Sequence, residues 1–140
     1  MASVRRWGGG SVPQIVNGVE ASGTQTYKAG DLVKFTSGTV AIATAGAIHG
    51  IALKDAAGVT STAAPVELID YNAVYEVTYK NAAPAQAVVG TMVDATFTAG
   101  AHTWDESTAS TDAYCVGFTT AAATDANILI RFIIDPLAIA

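Results

Sequence analysis

Residues able to do chemistry are few in this chain and poorly grouped. Histidine occurs only at His49 and His102, and the single cysteine is Cys115. In "HTWDE" the imidazole of His102 lies close in sequence to the carboxylates of Asp105 and Glu106. That set would attract a cation, but a zinc site needs a further His or Cys at defined spacing, and a calcium loop needs an ordered run of oxygen donors. The stretch reads as an exposed acidic loop without metal. Cys115 falls in "AYCVGF", an alternating strand pattern that makes it a structural thiol. No G-x-S-x-G motif surrounds any serine. The pairs Glu67 with Asp70 and Asp105 with Glu106 lack the aromatic groove of a glycosidase. The glycines at 8 to 10 are followed by neither lysine nor helix, as a phosphate loop requires. The expectation is no catalytic residue, no metal and no cofactor, and a protein that is not an enzyme.

Composition points to contact with other protein. Of 140 residues 51% are hydrophobic and only 14% charged, against the ~25% charged of ordinary soluble domains. Ala, Thr, Gly and Ser take the place of charge and suit faces that meet a neighbour. The net charge of −5 argues against nucleic acid, which needs clustered Lys and Arg. Arg5 and Arg6 sit near the start, whereas residues 81 to 130 carry acids and no Lys or Arg. A single cysteine fits a reducing compartment, and no apolar run of ~20 residues is present to span a membrane as a helix. "RRWGGGS" has the twin arginines of an export signal without its apolar stretch. Synthesis in a cytoplasm as a soluble chain is expected.

The elements that must position these residues read as β-strands. Residues 1 to 12 are expected to form an N-terminal arm, because consecutive glycines disfavour regular structure, and residues 13 to 140 a single β-barrel domain. Asn17-Gly18 predicts a hairpin turn, as does Ser37-Gly38. "YEVTYK" directs Tyr75, Val77 and Tyr79 to one face, and "AYCVGF" directs Tyr114, Val116 and Phe118 to one face. "NILIRFIID" places Ile128, Ile130, Phe132 and Ile134 together, with Leu129, Arg131 and Ile133 opposite, and Pro136 ends it. "STAAPVE" and "PAQAVVG" each allow one helical turn. Short strands with Gly, Asn and Ser turns predict an all-β barrel or sandwich.

One phrase occurs twice. Gly30, Val33 and Phe35, a Ser-Gly turn and "GIAL" are followed by an Ala-rich loop and "PVELI". Gly90, Val93 and Phe97, an Ala-Gly turn and "VGF" are followed by a second Ala-rich loop and "ILIRFII". Two such units are expected to close each other's open edges into one barrel. A "GD-x-V" strand, a strand ending "GIAL-x-DAA", a central "V-x-Y-E-V" strand and a second "G-x-x-V" unit ending "VGF" resemble the capsid cement, or head decoration, proteins of tailed bacteriophages. The resemblance covers residues 26 to 134. It departs at Thr91, which stands where the first unit has Asp, and at an extended "HTWDESTASTD" insertion.

The resemblance implies a compact β-barrel on the outer surface of the virion. It would bind the major capsid protein, stabilise contacts between capsid subunits and associate with neighbouring copies as a homo-oligomer, with no nucleic acid and no membrane. From the residues themselves, Arg5, Arg6 and Trp7 are the expected capsid- or subunit-binding group, since Trp and Arg dominate interface energies. Trp104, beside two acids in an expected loop, is the expected secondary partner contact. The alternative is a β-sandwich carbohydrate-binding or adhesive module with Tyr71, Tyr75, Tyr79, Trp104 and Tyr114 along a sugar-binding face.

Overall fold

The computed structural model describes residues 3–80, 88–106, 112–118 and 127–133. The expected positions of Ile134, Pro136, most of "PAQAVVG" and part of the 102 to 112 insertion lie outside them. The fold is all-β. Among the described residues eleven strands run in order: β1 (Val4–Gly9), β2 (Ile15–Glu20), β3 (Leu32–Thr36), β4 (Thr39–Ile42), β5 (Gly50–Ala52), β6 (Ala63–Leu68), β7 (Ala73–Thr78), β8 (Met92–Thr96), β9 (Thr103–Glu106), β10 (Ala113–Phe118) and β11 (Asn127–Phe132). One closed barrel has the order β2-β4-β3-β5-β6, and a six-stranded sheet has the order β1-β7-β11-β10-β8-β9.

The repeated phrase is a repeated topology. Without β1, the large sheet has the strand order of the barrel, and a parallel bridge between Tyr79 and Trp104 brings β9 back to β7. In the barrel β2 and β4 are likewise the parallel pair. Val66 lies between Val16 and Ala52 in the first unit, and Ile130 lies between Tyr75 and Cys115 in the second. The local bonding matches too. Gly30 donates its N–H to the Ala52 carbonyl at 2.8 Å, and Gly90 donates to Cys115 at 2.8 Å. Both glycines have positive φ, 91° and 88°, a backbone that side chains resist. Each unit thus bends around its own sheet, in place of the expected single barrel shared by two open halves.

Two apolar clusters follow from this. Tyr27, Val33, Val40, Ala52, Ala64 and Val66 fill the first barrel. The larger cluster contains Tyr75, Val77, Trp104, Cys115, Ile128, Ile130 and Phe132 of the second unit together with Leu32, Ile48, Ile51 and Ile69 of the first. Outward-facing aliphatics of the barrel therefore pack against the second unit, and the described residues share one continuous core there.

Several local expectations change. Residues 4 to 9 are not a free arm, because β1 pairs antiparallel with β7 and Val4 is buried. Asn17-Gly18 is no turn. β2 runs straight through it against β6, and Gly18 is needed because a Cβ there would stand 2.6 Å from Val40 Cγ2. "STAAPVE" is no helical turn but the start of β6, where the Pro65 carbonyl accepts from Leu53 N–H at 3.1 Å. In β10 the buried residues are Ala113 and Cys115, opposite to the expected Tyr114 and Val116; a register shift between Cys115 and Gly117 then brings Phe118, as expected, against the core, partly buried. Ala113 and Cys115 share their core cluster with Trp104 and Phe132, which meet edge to face with centroids 5.7 Å apart. Ser37-Gly38 does turn, with φ of 49° and 83°, the double positive φ of a two-residue hairpin loop.

Candidate interaction surface

β1 is the outermost strand of the large sheet and carries the residues singled out by composition. Its pairing with β7 shifts between Arg6 and Gly8, so Trp7 sits on a bulge. A bulge bends the strand and re-aims the side chain that it carries. Trp7 remains half exposed, at 50%. The Arg5 guanidinium stands 5.8 Å from the Trp7 ring centroid and 2.5 Å from Glu76 Oε1. Asn127 donates from Nδ2 to the other Glu76 oxygen at 3.3 Å. Arg5 and Trp7 thus form an exposed pair whose cation is held in place from β7.

Arg6, expected to act with Arg5 and Trp7, is turned away from that pair. Its side chain turns inward, donating to the Gly9 carbonyl at 2.9 Å, to the Ser11 carbonyl, and to Asp70 Oδ2 at 3.0 Å. Asp70 also accepts the N–H of Ser11 at 2.6 Å and of Asn72 at 2.9 Å. These two backbone donors, then the Arg6 charge, hold the Asp70 carboxyl below the usual carboxylate range. Gly10 has φ of 72°, and a Cβ on it would collide with the Asp70 carboxylate. The glycine run that pointed to a tether instead lets the chain wrap a carboxylate. Beside it lies an open cleft of about 370 Å³ between the β1–β2 and β6–β7 connections, lined by Arg6, Val12, Gln14, Leu68, Asp70 and Tyr71 among others.

Trp104 is not a surface contact. It belongs to β9, is 0% exposed and lies in the larger core cluster. Asp105 points the other way, as strand alternation requires, and pairs with Lys80 Nζ at 3.1 Å, whereas Glu106, two positions on and at the end of the strand, accepts the Tyr79 hydroxyl at 2.5 Å. Tyr75 and Tyr79 are buried as well, whereas Tyr71 and Tyr114 are partly exposed.

The remaining chemical candidates serve the scaffold. His102 is buried, accepts Leu32 N–H at Nε2 (2.9 Å) and has Nδ1 3.0 Å from the Thr98 carbonyl. These partners assign the neutral ring with its proton on Nδ1. His49 accepts Phe35 N–H at Nδ1 over 2.8 Å. Cys115 is buried, and burial pushes its thiol up, away from the reactive thiolate. Among the described residues no three His, Cys, Asp or Glu side chains gather as metal ligands.

Buried acids that composition did not single out also hold the structure. Asp31 accepts Ser3 Oγ–H at 2.6 Å, Lys28 N–H at 2.8 Å and Gly100 N–H at 2.8 Å, which joins the N-terminal segment to both units. Glu20, also buried, accepts Ala57 N–H at 2.7 Å and Gly58 N–H at 3.0 Å and fixes the first Ala-rich loop. The "GD" pair was visible in the sequence, but its partners come from distant segments and no local spacing announces them.

A second exposed apolar region lies on β2 and the residues before it. Val12, Ile15, Val16 and Val19 are all exposed, and no charge occurs between Trp7 and Val19. No family model, no curated protein and no solved structure matches the chain.

Proposed function

We propose that this protein is a structural component of a tailed-phage virion. In this reading it is a capsid cement, or decoration, protein that binds the outside of the head and stabilises contacts between major capsid subunits without catalysing a reaction. The observation that carries the reading is the Arg5–Trp7 pair on the outermost strand of the large sheet. A half-exposed indole beside a fixed cation supplies the two residue types that most often dominate interface energy. Its geometry exists before binding, which lowers the ordering cost of association. The low charge and the Ala- and Thr-rich surface support the same reading, and many copies on a shell add avidity to a modest single contact.

The carbohydrate alternative gains nothing from the placement of the aromatics. Tyr75, Tyr79 and Trp104, which a sugar-binding face would need in the open, are packed in the core.

The reading is tested by cosedimentation. The protein is mixed with heads of its phage from which it has been stripped, and bound protein is counted per capsid subunit. Saturable binding at a fixed ratio is expected. Failure to bind such heads, with retention on a glycan array, would overturn it in favour of the alternative.

A further inference from the structure

We infer that the N-terminal half of β2 is the contact through which two copies of this chain associate, joined antiparallel about a two-fold axis at Val16. The inference stands on the internal repeat and is independent of the capsid reading.

The repeat supplies the comparison. Val16 and Tyr75 are equivalent, since each faces the same position of the neighbouring strand, Val66 in one unit and Ile130 in the other. Ile15 then corresponds to Val74, and Asn17 to Glu76. In the second unit an extra antiparallel strand covers this edge, with β1 placing Gly8 opposite Val74 and Arg5 opposite Glu76. In the first unit no described strand lies there.

Backbone parity shows what the open edge offers. Leu68 N–H donates to the Gln14 carbonyl and Glu20 N–H to the Thr62 carbonyl, both at 2.8 Å. The even-numbered residues of β2 therefore aim their backbone groups at β6, and the odd-numbered ones aim theirs away from it. Val19 does so and donates to the Gly38 carbonyl at 3.2 Å. Ile15 and Asn17 remain, and among the described residues nothing pairs with their outward N–H and C=O groups. An edge of this kind is a template for another strand unless charge or proline blunts it. Here Pro13 stops the ladder at one end, and the β3–β4 turn at Gly38 stops it at the other.

The second copy is the occupant that fits. Ile15 is 62% exposed and Val16 39%, apolar side chains on both faces of the open half of β2. The stretch from Trp7 to Val19 is uncharged in a chain of net charge −5, so two copies meet here without placing like charges opposite each other. Antiparallel pairing of β2 with itself closes after two copies. With the axis at Val16, the Ile15 N–H donates to the Asn17 carbonyl of the second copy, the Asn17 N–H donates to its Ile15 carbonyl, and symmetry doubles both bonds. The same antiparallel relation holds β1 on β7.

Sedimentation equilibrium of the full chain over a range of concentrations tests this. A reversible shift from the 14.2 kDa of one chain to twice that mass is expected. Asn17→Pro removes an N–H that faces the open edge and none that bonds β6, so the shift should disappear while the β circular dichroism remains. Hydrogen exchange on the unmodified chain supplies a readout that does not depend on a variant: the Ile15 and Asn17 amides should gain protection as concentration rises. A monomer at every concentration, with both amides unprotected throughout, would overturn the inference. So would a dimer that survives Asn17→Pro with those amides still exchanging freely.

Discussion

The His102 imidazole accepts the backbone N–H of Leu32 at 2.9 Å, across 70 positions of sequence and between the two units of the repeat. Leu32 is fully buried and His102 nearly so. Replacing His102 with Ala leaves a buried amide without its acceptor and also opens a cavity. A loss of about 2–4 kcal/mol in urea unfolding is expected, from an unsatisfied polar group at ~1–3 kcal/mol together with lost packing. An unfolding free energy unchanged within 0.5 kcal/mol, on the order of a neutral surface substitution, would show that the bond contributes nothing.

Asp70 should make stability depend on acid. Its folded carboxyl lies below the ordinary carboxylate value of 3.8, chiefly through the N–H groups of Ser11 and Asn72 and then through Arg6. A depressed folded value means that the contribution is complete above the unfolded value and is lost as pH falls through the folded one. Asp70→Asn should lower stability at neutral pH and flatten the decline below pH ~4. Thermal unfolding of both proteins across that range checks it, and parallel curves would refute the assignment.

Phe132 and Arg131 test the phase of β11. Phe132 packs edge to face on Tyr75, with centroids 5.2 Å apart, whereas Arg131 is partly exposed and reaches the Tyr71 carbonyl at 3.4 Å. Phe132→Asp should prevent folding, because an unpaired charge would enter the core, and Arg131→Ala should leave a folded protein. Far-ultraviolet circular dichroism that could not tell them apart would reverse the strand's faces.

Where the sequence was read correctly, a local pattern matched a local cause. "NILIRF" alternates because one face of β11 enters the core, and Ser37-Gly38 supplies the positive φ that its hairpin needs. The repeat was legible because Gly30 and Gly90 each lead into the second strand of a unit at positive φ. The failures have distant causes. Trp104 looked exposed because two acids follow it, yet the buried His102 and Trp104 alternate with outward Thr103 and Asp105 in the period of a strand. Gly18 looked like a turn because its real reason is Val40, brought beside it by folding. Arg6 looked available because its acceptor, Asp70, is 64 residues away. Residue type alone drew attention to Arg5 and Trp7, both of which are exposed, but not to the carboxylate of Glu76 that holds Arg5.

Gly18 yields a further test of that distinction. Gly18→Ala should cost about 1–3 kcal/mol by overpacking against Val40, although Ala is well tolerated in many extended strands. Combining it with Val40→Ala should recover part of the loss, as a double-mutant cycle on contacting residues would report. Additive costs would mean that the two side chains do not compete for the same space.

The central claim is that the outer strand β1 attaches this protein to a phage head through Trp7 and Arg5. Its most direct measurement is the occupancy of stripped heads by intact protein and by Trp7→Ala, with the β circular dichroism of both proteins recorded alongside. Intact protein should saturate the heads. Trp7→Ala should remain folded and need at least about 30-fold more protein for half occupancy, the consequence of losing a residue worth ~2 kcal/mol or more at an interface. Equal occupancy by the two folded proteins at every concentration would contradict the account.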